Sequence, residues 1–262
     1  MIHHDLIIQI IVLIIAGFIQ GMTGFGLGLV AVGILVTFHS AKIVVPALLI
    51  IYLITNSILI YDHKEVVTKQ YFYDNKIIKT LPLLFAFTGL IVGTKLLVIL
   101  DTKFINLILG VILFLVSIYY MLIEFSIIQS KINIEISAID NKLISSMITF
   151  ISGLLEGFLG LGGPPIIIYM FIAKFNKKVF ILTFSLFFMF INPFRFILYL
   201  YNNLYNSHVI NFTIYIFTFI LIGLIIGIIT RKKVVTDKSF NRIVLFFLMI
   251  IGLNLIRSNI FI

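Results

Sequence analysis

The chain has 262 residues, of which 61% are apolar and 11% charged, with a formal net charge of +9 and a mean hydropathy of +1.23. A soluble chain carries roughly a quarter charged residues, so a water-soluble fold is excluded. The absence of cysteine also removes disulfides, thiolate nucleophiles and cysteine-ligated metal centres.

The N-terminus, Met1-Ile2-His3-His4-Asp5, lacks the positive region and cleavage site of a signal peptide, so the first apolar stretch is expected to be retained. Apolar segments then follow at 6–19 and 25–38, a short pair split by glycines, and at 43–60, 79–99 and 104–123. After a polar connection at 129–141 comes a second short pair, near 142–158 and 164–175, and then 178–200, 210–230 and 240–257. The longer stretches have the length of roughly 20 residues that a helix needs to cross a bilayer core, whereas members of the short pairs are marginal for it.

The second half repeats the first. Ala16-Gly17-Phe18-Ile19-Gln20-Gly21-Met22-Thr23-Gly24-Phe25-Gly26 matches Ser152-Gly153-Leu154-Leu155-Glu156-Gly157-Phe158-Leu159-Gly160-Leu161-Gly162, with four glycines coinciding. The same offset aligns Lys42 with Lys178, Asn56 with Asn192 and Asp101 with Asp237, and Gly89/Gly93 answers to Gly223/Gly227 at nearly the same spacing. We divide the chain into a first transmembrane repeat at 1–128, a connecting loop at 129–141 and a second repeat at 142–262.

Charge sets the expected topology. If each short pair enters and leaves on one side, fourteen of the nineteen Lys and Arg fall on one face and four on the other. If each pair is a single crossing, the split is eleven to seven. Positive residues concentrate on the cytoplasmic side, so the first arrangement is the better one. It places both termini outside and gives each half an odd number of crossings, hence an inverted repeat. The expectation is an all-α, multi-pass protein of the cytoplasmic (inner) membrane. The positive charge is that of its lysine-bearing loops, with no basic tail for nucleic acid.

Glycine-rich breaks are tolerated in hydrocarbon only where protein or a water-filled cavity surrounds them. Short, interrupted segments at matching places in two halves point to a transporter's binding site. Pro164-Pro165 suits the first turn of a new helix. Helices starting near Phe25 and Pro164 would aim N-termini, which attract anions, at one midplane site. Candidate substrate-binding residues are therefore Gln20, Thr23, Gly24, Phe25, Gly26, Gly160, Gly162, Gly163, Pro164 and Pro165. The spaced pairs Gly17/Gly21, Gly89/Gly93, Gly153/Gly157 and Gly223/Gly227 fit helix packing instead.

Polar residues inside the spans complete the candidate set. Asn56 and its repeat mate Asn192 need partners in an apolar span. Arg195 shares a face with Asn192 and serves either as a cation for the anion or as a snorkelling side chain at the interface. Glu156 replaces Gln20 in the second cluster. It is read as a proton-coupling candidate, since apolar surroundings favour the protonated acid, or as a neutral acid bonding across helices. Thr23, Ser57 and Ser185 are possible ligand donors or bond back to their own helices. The five histidines (His3, His4, His39, His63 and His208) have no ligand spacing, and no metal or cofactor is expected.

At the two glycine clusters, Gly17 to Gly26 and Gly153 to Pro165, each followed by an Asn in the next long span, the sequence resembles the sulfite exporter TauE/SafE family of membrane permeases. The resemblance covers nearly the whole chain. It implies transport of a small sulfur-containing anion such as sulfite or an organosulfonate. The leading expectation is a secondary carrier working by alternating access, for which an inside-negative potential favours anion exit by about 2.3 kcal/mol per charge per 100 mV. An anion channel and a non-catalytic membrane subunit are the alternatives. An intramembrane enzyme lacks a catalytic pair in the spans. Homo-oligomerisation is left open.

Overall fold

A computed structural model describes residues 2–68, 71, 75–124, 141–173 and 175–233, together with positions 249, 253, 256 and 257. Nearly all of the 129–141 connection and of the span expected at 240–257 lies outside the described residues. Among those described, every regular element is helical. In the first half α1 is Ile2–Thr23, α2 Leu27–Leu35, α3 Ala41–Asp62, α4 Thr80–Ile99 and α5 Thr102–Glu124. In the second, α6 is Lys142–Leu159, α7 Gly163–Ile172, α8 Lys177–Tyr201 and α9 Ser207–Lys233.

Seven of these, α1, α3, α4, α5, α6, α8 and α9, are long and apolar enough to cross a membrane. The protein is thus a multi-pass membrane protein. Large apolar side chains such as Ile7, Ile11 and Ile15 on α1 and Ile214, Ile225 and Ile229 on α9 are exposed. Facing lipid, they cost nothing, because lipid tails are as apolar as they are.

The short pairs differ from expectation in how their length is divided. Helix α1 has 22 residues and α2 nine, while α6 has 18 and α7 ten. Hydropathy alone ended the first member at the polar Gln20. The helix instead runs on through Gly21 to Thr23, because Gly21 packs against a neighbouring helix and Gln20 spends its side chain on the chain reversal that follows. Each pair is thus one helix of spanning length and one half-length helix.

Packing joins the two halves crosswise. Helix α1 lies along α9, and α6 lies along α4. A Cβ on Gly17 or Gly21 would be driven into the α9 carbonyls of Ile220 and Leu224, and one on Gly153 or Gly157 into the α4 carbonyls of Ala86 and Leu90. Gly223 and Gly227, and Gly89 and Gly93, return the same close approach from the other side. All four spaced glycine pairs therefore act as packing surfaces, where small residues let helix backbones touch. Helix α3 packs on α8, its counterpart in the other half. Likewise α3 meets α9 while α8 meets α4. Interchanging the halves turns each of these contacts into another, and the two chain breaks are brought together at the centre.

Candidate substrate site

Both breaks turn on glycines in left-handed conformations, two in the first and one in the second. After α1 the chain turns through Gly24 and Gly26, at φ of 86° and 99°. After α6 it turns through Gly160, at φ of 69°. These are left-handed conformations that residues with a Cβ adopt at a cost. In each break the polar residue of the glycine cluster reaches over its own turn. Gln20 accepts through Oε1 from the Leu27 N–H at 3.3 Å and donates from Nε2 to the Gly24 carbonyl at 3.3 Å. Glu156 accepts through Oε2 from the Gly162 N–H at 3.0 Å. Ser152 adds a bond from its hydroxyl to the Gly162 carbonyl at 2.6 Å. Thr23 lies within the first turn, its hydroxyl 2.7 Å from the Phe25 carbonyl and 2.8 Å from that of Ile19.

The two breaks touch. A Cβ on Gly28, in the first turn of α2, would fall 2.8 Å from the Gly160 carbonyl. Tyr52 of α3 donates to that same carbonyl at 3.4 Å. Around this junction is a cavity with about 40 Å³ open to the centres of water-sized molecules, room for a few waters or one small oxyanion. Of the residues singled out from sequence, Gln20, Phe25, Gly26, Asn56, Glu156, Gly160, Gly163, Pro164 and Asn192 line it. Tyr52, Gly28, Leu29, Leu161, Ile167, Phe184 and Phe188 complete the wall.

The two asparagines set the character of this cavity. Asn56 is 2% exposed and Asn192 is fully buried. Asn56 Oδ1 and both polar atoms of the Asn192 amide have no hydrogen-bond partner among the described residues. A buried polar atom without a partner costs about 1–3 kcal/mol, so two such amides at matching positions call for a polar occupant. Ser57, by contrast, donates to its own helix at the Leu53 carbonyl (2.7 Å), and Ser185 is buried with no partner among the described residues.

The remaining candidates lie outside the wall. Gly24 abuts Ile181 of α8, and Gly162 is wedged between Ser152, Glu156 and Phe188. Thr23 is taken up by its turn, and Pro165 sits in the first turn of α7, half-buried.

Arg195 does not snorkel to the interface. It is fully buried and forms an ion pair through Nη1 with Glu156 Oε1. Its Nε donates to the Tyr199 hydroxyl at 2.9 Å, and that hydroxyl donates to the Gly157 carbonyl at 2.8 Å. Its Nη2 has no partner among the described residues and points to Gly160, whose hypothetical Cβ it would approach to 3.2 Å. Tyr52 and Tyr199 were absent from the sequence-based set. Both were accessible to it, since Tyr52 precedes Asn56 and Tyr199 follows Arg195 by four residues, the spacing that stacks side chains on one helix face.

The family model described as "Sulfite exporter TauE/SafE" matches residues 9–255. The chain belongs to the sulfite exporter TauE/SafE family. Its members are membrane transporters rather than enzymes, and this chain is accordingly a membrane transport protein. No curated protein and no solved structure matches the sequence. Within this family member the site follows from its own residues, and the helix N-termini contribute unequally. The first amides of a helix lack intrahelical acceptors. At α2 the Gln20 side chain takes the Leu27 N–H, leaving Gly26, Gly28 and Leu29, all at the cavity wall. At α7 two of the first positions are Pro164 and Pro165, which carry no N–H, and Glu156 occupies the Gly162 N–H. Only Gly163 is left there.

Proposed function

We propose that the protein is a secondary transporter that carries a small anion, sulfite or an organosulfonate, across the cytoplasmic membrane. The anion would bind in the cavity between the two breaks, and access would alternate by rocking of two inverted repeats about that point, with both termini outside. The observation that carries this reading is the pair of buried, unpartnered amides of Asn56 and Asn192 facing one small cavity. The Asn192 Nδ2 group and the Gly28 and Leu29 amides are donors for oxyanion oxygens. The Oδ1 atoms of both asparagines ask in turn for a donor on the ligand. A protonated oxyanion, or a sulfonate bearing a hydroxyl or ammonium group, supplies both. The half-positive end of α2 adds electrostatic support. Phe25, Gly26, Gly160, Gly163 and Pro164 shape the wall, while Gln20, Thr23, Gly24, Gly162 and Pro165 hold the two breaks in position.

The symmetric packing of the halves and the lysine distribution support the inverted arrangement. Purified protein in proteoliposomes should exchange external ³⁵S-sulfite for internal unlabelled sulfite, in excess of protein-free vesicles, and organosulfonates should compete. Absence of exchange with every sulfur anion tried would overturn the substrate class. Exchange accompanied by single-channel conductance would replace a carrier with a channel.

A further inference from the structure

We propose that Glu156 and Arg195 form a proton-dependent counter-charge, so that each anion crosses together with one proton. This rests on the reading that the cavity holds an anion. The carboxylate lies at the cavity wall and the guanidinium behind it. With Glu156 ionised, the pair is neutral as a whole yet presents its negative member to an incoming anion, and like charges in a desolvated site repel strongly. Protonation of Glu156 removes that charge. The Arg195 Nη1–H bond then passes from Glu156 Oε1 to an anion oxygen, with the spare Nη2 beside Gly160 as a second donor. On release the proton leaves Glu156, and Arg195 returns to the carboxylate. The O–H bond made and broken at Glu156 is the one covalent change; one proton is gained and lost per anion.

The ionisable groups facing Glu156 among the described residues are Arg195 and Tyr199 from α8 and Tyr52 from α3. Helix α4 meets this part of α6 with Leu90 and Thr94, and the α7 turn meets it with Gly162. The equivalent position in the first half is Gln20, which does not titrate. Of these two positions, only 156 holds a side chain that can carry a proton. A monovalent anion carried with one proton moves no net charge, so its flux should follow the pH gradient and ignore voltage.

The test uses proteoliposomes, ³⁵S-sulfite exchange without gradients, and uptake of labelled 2-hydroxyethanesulfonate under imposed pH or potassium–valinomycin gradients. Wild-type protein should exchange sulfite and accumulate 2-hydroxyethanesulfonate toward about tenfold per pH unit, with no response to voltage. Glu156→Gln should lose accumulation driven by pH and become voltage-sensitive. Wild-type accumulation that follows voltage and not pH, or pH-driven accumulation that survives in Glu156→Gln, overturns the proposal. So does exchange of sulfite without any transport of 2-hydroxyethanesulfonate when sulfite uptake itself ignores the pH gradient. Absence of sulfite exchange in the wild type overturns the underlying transport reading instead. The wild-type gradient measurements decide the matter even if the variant does not fold.

Discussion

The two glycine breaks share a backbone plan and differ in charge. In the first, Gln20 ties the start of α2 to α1 with a neutral amide. In the second, Glu156 makes the equivalent tie to Gly162 while also pairing with Arg195, which Tyr199 holds in turn. Both clusters thus turn on left-handed glycines, and the second also carries a buried ion pair. Burying two charges is costly and is repaid only when geometry and further hydrogen bonds are good. The difference indicates that the shape of the site is a shared property of both halves, whereas its electrostatics belongs to the second.

The largest effect that separates the breaks should come from Arg195→Ala. It strands a carboxylate in the core and should cost about 3–5 kcal/mol, read as a lower unfolding temperature in detergent. The double variant Arg195→Ala with Glu156→Ala should recover more than half of that loss. Equal losses in the single and double variants would mean that the guanidinium's packing matters and its pairing does not.

Next in size are Gly24→Ala and Gly160→Ala. Both positions have positive φ, and each substitution should cost about 1–2 kcal/mol. Gly24→Ala should cost more, because its Cβ would meet Ile181 at 2.8 Å, whereas that of Gly160 meets the end of Arg195 at 3.2 Å. Gln20→Ala should cost about 1 kcal/mol, the value of a helix cap. Loss of Gln20 is thus several-fold milder than loss of Arg195, the partner of the second break's Glu156.

The smallest effect on stability should come from Asn192→Leu and Asn56→Leu. Each replaces an amide without a full set of partners by a side chain of similar size, so unfolding temperatures should stay level or rise, within about 1 kcal/mol. A clear fall in both would show that the amides have structural partners after all.

Much of this architecture was legible in the sequence, because membrane helices declare themselves by length and hydropathy and because aligned glycines expose the repeat. The spaced glycine pairs Gly17/Gly21 and Gly153/Gly157 were readable as packing surfaces for the same reason. Asn56 and Asn192 were legible as polar groups in apolar spans, and they do line one cavity. The boundary at Gln20 was misplaced, since a polar side chain that turns back on its own break looks like a helix end to hydropathy. The pairing of Glu156 with Arg195 was not legible. The residues lie on different helices, 39 positions apart, and no periodicity links them. The unequal helix N-termini follow from the prolines, which were visible, together with the Glu156 bond to Gly162, which was not.

The central claim, that the paired amides hold the transported anion, is tested most directly by sulfite exchange in proteoliposomes carrying the double variant Asn56→Leu with Asn192→Leu. The account predicts a protein that is folded, elutes as the wild type does and melts no lower, with exchange reduced by at least about tenfold, the loss expected when a site forfeits hydrogen bonds worth upward of about 1.4 kcal/mol. Wild-type exchange rates in that folded variant would contradict it.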